Sequence, residues 1–205
     1  KKVPRKHQYE GFKAAQERIR KLEGGVIWHT QGSGKSILMV MLAKWLLEYD
    51  PDGRVLIITD RDELDKQIEG VMRNAGVISP ESPSPRITSR QEFESKLIAA
   101  QPRLMCALIH KFNLDLTGTP PRVQGRFYIF VDECPRPQGG GMNKQMKRWL
   151  EGAIFIGFTG TPLLRKDKQT TREVFGTYIH TYKFDEAVAD KVVLDLKYEA
   201  RDVPQ

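Results

Sequence analysis

The sequence predicts an α/β fold, in which a mainly parallel sheet is flanked by helices on both faces. Residues 55–59, 127–131 and 153–158 are near-continuous apolar runs rich in β-branched and aromatic residues. Such runs are typical of strands that are buried on both faces of a parallel sheet. Segments of helical length separate these runs, and alternating strands and helices favour a parallel sheet covered on both sides.

The predicted elements follow one another along the chain. Helices are expected at 7–22, 36–49, 62–74, 90–100, 142–150 and 185–193. Strands are expected at 26–28, 55–59, 127–131, 153–158, 178–184 and around 194–200. The apolar stretch 104–112 fits either a helix or a strand. Loops containing proline or glycine are expected at 78–86, 113–125 and 135–141.

Composition restricts the class of protein. A chain of 205 residues that is 40% hydrophobic suits one α/β domain, which we expect to span 1–205 and to be part of a longer protein. The net charge of +7, concentrated before residue 23, is compatible with a nucleic-acid partner and equally with a solvated helix face. The longest apolar run, 37–43, is too short to span a bilayer. We therefore expect a cytoplasmic protein with reduced cysteines and no membrane partner.

The strongest motif is the segment 29–36, which follows a predicted strand and opens a predicted helix. Gly32 and Gly34 let backbone amides curl around phosphate oxygens, and the helix N-terminus adds partial positive charge. In this P-loop pattern Lys35 reaches the terminal phosphates and the Ser36 hydroxyl coordinates Mg²⁺. The alternative is a chance loop of the same composition. The nucleotide-binding residues predicted from the segment are Thr30, Gln31, Gly32, Ser33, Gly34, Lys35 and Ser36.

A pair of acidic residues follows the predicted strand 127–131. Asp132 and Glu133 are expected at the carboxyl end of a strand neighbouring the P-loop strand. There Asp132 would hold Mg²⁺, and Glu133 would orient or deprotonate an attacking water. A strand that ends by chance in two acids is the alternative interpretation. With Lys35, these two residues are the predicted catalytic group.

Several segments resemble motifs of superfamily 2 helicases. The acidic pair and the two residues after it are similar to the Asp-Glu-x-His or Asp-Glu-x-Asp motif of that superfamily. The sequence Thr-Gly-Thr-Pro at 159–162 follows an apolar strand and resembles the motif that couples ATP state to DNA grip. The resemblance implies coupling roles for Thr159, Gly160 and Thr161. The same tetrapeptide at 117–120 has no apolar strand before it and is expected to be a turn.

Two further resemblances concern adenine and DNA. Arg5 and Gln8 look like the segment that reads adenine, and the side-chain amide of Gln8 has the donor and acceptor needed for that task. The strand 55–59 with Asp60 and Arg61 resembles the motif whose end touches the DNA backbone. Asp60 and Arg61 are therefore the candidate DNA contacts.

Longer phrases resemble the R subunit of type I restriction enzymes. They lie at 25–36, 59–67, 155–164, 174–178 and 185–188, so the resemblance covers essentially the whole chain. It implies a RecA-like P-loop NTPase fold, and specifically the first RecA-like domain of a larger subunit that couples ATP hydrolysis to translocation of double-stranded DNA before cleavage. The implied cofactors are ATP and Mg²⁺.

The resemblance also implies partners that this chain does not contain. They are double-stranded DNA, the modification and specificity subunits of a restriction complex, and a second RecA-like domain in cis. The nuclease and second motor domains have no counterpart in the sequence, so we expect the chain alone to be essentially inactive as a hydrolase.

Two positions, His29 and Pro135, qualify this interpretation. His29 stands where the P-loop pattern usually has its first glycine, and Pro135 stands where the family usually has histidine. Proline cannot donate a hydrogen bond, so two alternatives stay open: a non-catalytic nucleotide-binding module with a degenerate acidic motif, or another superfamily 2 DNA helicase. His7 and His180 are far apart in the sequence and are expected to be structural.

Overall fold

The computed structural model describes residues 3–59, 62–79, 81–108, 122–133, 147–161 and 175–195. Its strands are β1 (Gly25–His29), β2 (Gly53–Thr59), β3 (Arg86–Ile87), β4 (Leu104–Leu108), β5 (Arg126–Asp132), β6 (Ile154–Thr159) and β7 (Tyr178–Tyr182). Its helices are α1 (Lys6–Arg20), α2 (Lys35–Tyr49), α3 (Asp62–Asn74), α4 (Arg90–Ile98) and α5 (Phe184–Ala189). Residues 147–149 are also helical.

The seven strands form one sheet in the order β3-β4-β2-β5-β6-β1-β7. Every strand pairing in it is parallel. The predicted α/β class with a parallel sheet is therefore confirmed. One consequence matters for the site: β6 lies between β1 and β5, so the strand before the P-loop and the strand before the acidic pair are not direct neighbours, contrary to the sequence prediction.

Three local predictions need correction or completion. The ambiguous stretch 104–112 begins with strand β4, which pairs with β2 along its whole length. The predicted loop at 78–86 leads into the short strand β3, which adds to the edge of the sheet beside β4. The strand expected around 194–200 does not begin at its first two residues, and Leu194 is 91% exposed. Most of the predicted loop at 113–125 and residues 134–146 lie outside the described residues.

Two hydrophobic cores lie on opposite faces of the sheet. Along β2, Val55 and Ile57 pack on the face covered by α1, α2 and α3. Leu56 and Ile58 point to the other face, where α4 and Trp149 pack. This alternation is the ordinary consequence of the two-residue period of a strand. Because both faces are covered, the central strands β2, β5 and β6 are mostly apolar, as the sequence prediction assumed.

The amino-terminal end of the sheet is held by a buried arginine. Arg54 on β2 is only 2% exposed. Its guanidinium donates to the carbonyl oxygens of Leu97 at 3.1 Å, Gln124 at 3.1 Å, Lys96 at 2.6 Å and Pro102 at 3.0 Å. Two of these carbonyls close the last turn of α4, where a positive charge also favours the helix dipole. One side chain thus joins β2, α4 and two connecting segments.

Replacing this arginine should be costly to stability. In Arg54→Met four carbonyl groups lose the hydrogen bonds from the Arg54 guanidinium, so we expect the free energy of unfolding to fall by about 3 kcal/mol or more. The matched control is Arg90→Met, because Arg90 is exposed and its ion pair with Glu94 lies on the surface of α4. That change should cost less than about 0.5 kcal/mol. Urea unfolding followed by circular dichroism measures both, and equal losses would contradict the role given to Arg54.

Candidate nucleotide-binding site

The P-loop connects the carboxyl end of β1 to the start of α2. The turn after His29 is closed by the Ser33 hydroxyl, which donates to the carbonyl of Thr30 at 2.6 Å. Gly32 and Gly34 have φ angles of 80° and 86°, in the left-handed region that favours glycine. Gly34 is also the N-cap residue of α2 and offers no side-chain cap. The first-turn amides of α2 are therefore left to acceptors other than a cap.

The first turn of α1 clamps this loop. His7 donates from Nε2 to the Ser33 carbonyl at 2.9 Å. Gln8 donates from Nε2 to the carbonyls of Ser33 at 3.2 Å and Gly34 at 3.3 Å, while its Oε1 accepts from the Arg5 amide at 2.8 Å. A Cβ at Gly34 would lie 2.4 Å from the Gln8 amide nitrogen, so glycine is required there for the approach. Both polar atoms of the Gln8 side chain are engaged within the chain.

Lys35 and Glu133 meet at the carboxyl edge of the sheet. Lys35 Nζ lies 3.8 Å from Glu133 Oε1 and 3.4 Å from the carbonyl oxygen of His29. Strands β1 and β5 are two strand spacings apart, or roughly 10 Å, so only long side chains reach across β6. Gly160, directly after β6, leaves the space they need: its Cβ would lie 3.0 Å from Lys35 Nζ and 3.5 Å from Glu133 Oε1.

The other predicted site residues lie around this contact. Asp132 ends β5 and is 5% exposed. Thr159 is fully buried, and its hydroxyl donates to the Thr161 carbonyl at 3.0 Å and accepts from the Thr161 amide at 3.2 Å. Glu133 has a φ of 50°, a conformation that is uncommon for residues other than glycine. Ser36 is in the first turn of α2 and is partly exposed.

Some predicted residues are peripheral or cannot be placed. Arg5 is exposed at the start of α1 and touches the site only through its backbone contact with Gln8. Gln31 is exposed on the P-loop. Asp60 and Arg61, and also Pro135, lie outside the described residues.

Sequence reasoning missed a histidine cluster behind the P-loop. His29 Nε2 and His180 Nδ1 are 2.8 Å apart, and the ring centroids of His7 and His29 are 5.5 Å apart. The His7 ring stacks on Tyr182 with a centroid distance of 3.9 Å. The parallel pairing of β1 with β7, which sets His29 opposite Tyr182, brings these residues together. The spacing of the histidines in the sequence carries no signal of this contact.

Burial keeps the central ring of this cluster neutral. It lowers the pKa of His29 to about 3, and positive charges on His180, His7 and Lys35 act in the same direction. Burial also lowers the pKa of His180, although Glu10 and Glu186 oppose it. Within the described parts of the chain, no group of three or more His, Cys, Asp or Glu side chains is arranged to hold a metal ion. Burial therefore favours the uncharged form of His29 and of His180.

Comparison with known proteins decides the family. A sequence model of the SWI2/SNF2 ATPase family matches residues 7–205. The chain belongs to the SWI2/SNF2 ATPase family. Family and fold together make it an ATPase motor domain of the superfamily 2 type, for which nucleotide binding is the expected property.

Relatives within this family include type I restriction enzyme subunits. The HindI endonuclease subunit of Haemophilus influenzae is 30% identical over 226 residues, and the match covers 97% of this chain and 21% of that protein. Other matching relatives are also endonuclease subunits of type I restriction enzymes. The predicted resemblance is therefore confirmed. The chain spans about a fifth of the length of the curated relatives it matches.

Solved structures agree on the fold. The Sulfolobus solfataricus SWI2/SNF2 ATPase core in complex with double-stranded DNA matches with a TM-score of 0.64 at 16% identity, over 92% of this chain and 39% of that one. A nuclease-deletion mutant of the Type ISP restriction-modification enzyme LlaGI, in complex with a DNA substrate mimic, gives 0.66 at 14% identity, over 94% and 21%. These matches confirm the predicted RecA-like architecture. None of the helices in the described ranges has the length and apolar character needed to cross a membrane.

The neutral His29 should make the SWI2/SNF2 domain sensitive to acid. Below pH 6.5 the unfolded chain binds a proton at this residue, whereas the folded chain does not until about pH 3. Stability present at neutral pH is therefore lost on acidification, by about 1.4 kcal/mol per pH unit for each such group. Urea unfolding between pH 7.5 and 5.5 should show a shallower pH dependence in His29→Leu than in the unsubstituted chain. Equal slopes would contradict a neutral buried His29.

Proposed function

We propose that this chain is the ATP-binding first motor domain of a type I restriction-modification endonuclease subunit, which couples ATP hydrolysis to translocation of double-stranded DNA before cleavage. The proposal treats residues 1–205 as one RecA-like domain whose nuclease and second motor partners lie elsewhere in the subunit. Its main support is the meeting of Lys35 and Glu133 across Gly160, since a nucleotide hydrolase requires the P-loop cation and the acidic strand end at one site.

The residues around the P-loop fit a nucleotide phosphate group. Two left-handed glycines shape the loop, and the N-terminus of α2 has no side-chain cap to satisfy its first amides. A phosphate oxygen is the acceptor that such an uncapped helix start favours. In this proposal Thr30, Gln31 and Ser33 complete the loop, and the Lys35 ammonium exchanges part of its contact with Glu133 for phosphate oxygens.

The acidic strand end and the first turn of α2 fit a magnesium ion. The Ser36 hydroxyl and the Asp132 carboxylate are hard oxygen ligands, and Mg²⁺ commonly takes only one or two such protein ligands beside phosphate and water. When bound, the ion would neutralise charge that develops on the phosphates. Glu133 then serves as the base that orients or deprotonates water. Its backbone turns in the left-handed region directly after β5, a type of backbone conformation often found at functional sites.

The segment after β6 is proposed to sense the nucleotide state. Gly160 borders both Lys35 and Glu133, and the hydroxyl of Thr159 fixes the turn to Thr161. A movement of the Lys35 ammonium toward phosphate would therefore change the contacts of Gly160 directly. This proximity supports a coupling role for Thr159, Gly160 and Thr161.

Adenine recognition by Arg5 and Gln8 is proposed in a modified form. Because both polar atoms of Gln8 bond to the backbone of the chain, its immediate task is to hold the P-loop carbonyls in place. A base contact would require an exchange of one of these bonds. Asp60 and Arg61 are proposed DNA contacts from sequence resemblance alone.

The proposed partners belong to the complete subunit. The match to type I restriction subunits supports modification and specificity subunits as partners, together with a second RecA-like domain in cis. It also supports double-stranded DNA as the substrate along which the motor moves. The SWI2/SNF2 relative of known structure is bound to double-stranded DNA, which supports the same substrate class. The proposed compartment is the cytoplasm.

Nucleotide binding should depend on Lys35. We expect isothermal titration calorimetry to detect weak binding of ATP with Mg²⁺ by the chain, and Lys35→Ala to weaken it at least about tenfold, because a charge-assisted contact with phosphate is lost. Glu133→Gln should bind ATP at least as well as the unsubstituted chain, since it removes the anion that competes for the ammonium. Equal affinities for all three proteins would refute a P-loop nucleotide site.

Hydrolysis separates the main proposal from its alternative. The chain alone should hydrolyse ATP very slowly, with or without DNA, because a second motor domain has to complete the site. In the complete subunit, Glu133→Gln should abolish DNA-stimulated hydrolysis. Retained binding without any hydrolysis in the unsubstituted subunit would instead favour a non-catalytic nucleotide-binding module.

The space at Gly160 can be tested by adding one methyl group. In Gly160→Ala the new Cβ would crowd only the flexible end of Lys35, at 3.0 Å, and would meet Glu133 at an ordinary 3.5 Å, so stability should change by less than about 1 kcal/mol. ATP binding should nevertheless weaken several-fold, because the Lys35 ammonium is pushed from its position. The matched control is Gly70→Ala in α3, where no atom lies within 4 Å of the new Cβ. Unchanged affinity in Gly160→Ala would contradict the proposed geometry.

A further inference from the structure

Strand β7 and the segment that follows it touch the P-loop at three points. The Thr30 amide donates to the Tyr182 carbonyl at 2.9 Å, which continues the sheet beyond the end of β1. The His29 ring meets the His180 ring at 2.8 Å. A Cβ at Gly32 would lie 3.4 Å from Val193, which follows α5. The first and third contacts involve backbone or apolar atoms, so the histidine pair is the specific polar link.

The His29 ring is enclosed between α1 and β7. It is fully buried, and a Cβ at Gly11 of α1 would lie 3.0 Å from its Cε1 and 3.2 Å from its Nε2. The missing side chain of Gly11 thus leaves room for the ring against α1. On the opposite side, His180 is half-buried and supplies the hydrogen-bond partner.

The hydrogen bond also fixes the tautomer of His29. Nδ1 of His29 is buried and has no hydrogen-bond partner among the described residues. If Nδ1 carried the proton, a buried N–H would be orphaned, which is rarer in proteins than an orphaned acceptor. The proton is therefore on Nε2, and His29 donates to Nδ1 of His180. The low pKa of His29, caused first by burial, agrees with a single proton on the ring.

The orientation of His29 affects the catalytic lysine. The carbonyl oxygen of His29 lies 3.4 Å from Lys35 Nζ, and within the described residues it and a Glu133 carboxylate oxygen lie around the ammonium. A rotation of residue 29 moves this carbonyl together with the start of the P-loop. The His29 ring opposes this rotation, and it is hydrogen-bonded to His180 on β7.

We propose that His180 is a positioning residue of the nucleotide site: it locks the His29 ring through one hydrogen bond and so fixes the carbonyl against which the Lys35 ammonium rests. The ligand that benefits is the triphosphate of a nucleotide. This inference deepens the proposed function and rests on it. No part of the usual P-loop pattern specifies a residue on this strand.

The test compares two variants of nearly equal shape. Asn and Leu have the same branching, but only Asn offers a polar atom near the position of the histidine Nδ1. We expect His180→Leu to weaken ATP·Mg²⁺ binding about tenfold in calorimetry, and His180→Asn to stay within about threefold of the unsubstituted chain. Thr181→Val on the same strand is the control and should bind as the unsubstituted chain does. Circular dichroism and thermal melting report whether each variant is folded.

A second measurement needs no variant. In ¹⁵N-labelled chain, the ring nitrogens of His29 should show a neutral Nε2–H tautomer that persists from pH 8 to pH 5. Saturation with ATP and Mg²⁺ should shift the ring signals of both His29 and His180, because Lys35 changes its contact with the His29 carbonyl. This measurement remains decisive if His180→Leu does not fold.

The outcomes separate the two proposals. If the unsubstituted chain binds no ATP, the proposed function fails and the positioning role fails with it. If the unsubstituted chain binds ATP, equal affinities of the Leu and Asn variants overturn the positioning role alone. Ring signals that do not respond to bound nucleotide overturn it as well. Loss of binding in His180→Leu with rescue in His180→Asn supports it.

Discussion

The parallel direction of all seven strands is the constraint on which the site depends. Because every strand ends at the same edge, the P-loop after β1, the turn after β6 and the acids after β5 come together although they lie about a hundred residues apart. The gap of two strand spacings is then bridged by Lys35 and Glu133. Gly160 favours their contact, because a Cβ at this position would crowd the Lys35 ammonium at 3.0 Å. The parallel topology brings Lys35 and Glu133 together, and the absence of a Cβ at Gly160 leaves space for the Lys35 ammonium.

The P-loop itself is supported from several sides. His7 and Gln8 hold its carbonyls from α1, and His180 holds its first residue from β7. Among the described residues, the carboxylate that lies against the Lys35 ammonium is that of Glu133. A loop that wraps phosphate has a backbone of many glycines and little intrinsic stiffness. The surrounding side chains supply stiffness that the loop sequence lacks.

Features that depend on a local sequence pattern could be predicted from the sequence. Buried strands such as β2 and β5 are continuous apolar runs, and the P-loop is recognisable because its residue types are dictated by phosphate geometry. The order of the strands in the sheet could not be predicted from the sequence, so β6 was not expected between β1 and β5. Strand β3 was missed because two residues are too few to show a periodic pattern. The sequence predicted only an adenine contact for Gln8, because no residue near it in the sequence indicates hydrogen bonds to Ser33 and Gly34.

The departure at His29 shows why a motif residue has to be interpreted with the partners that the fold gives it. A glycine at this position would have no side chain to pack or to form a hydrogen bond, whereas His29 fills the space beside Gly11 and reaches His180, 151 residues away. Without that partner, the imidazole would bury an unpaired N–H, which costs about 1–3 kcal/mol. The histidine is therefore favourable only together with a hydrogen-bonding residue on β7. A loop that looks degenerate in the sequence is, in three dimensions, held by a bond that glycine cannot make.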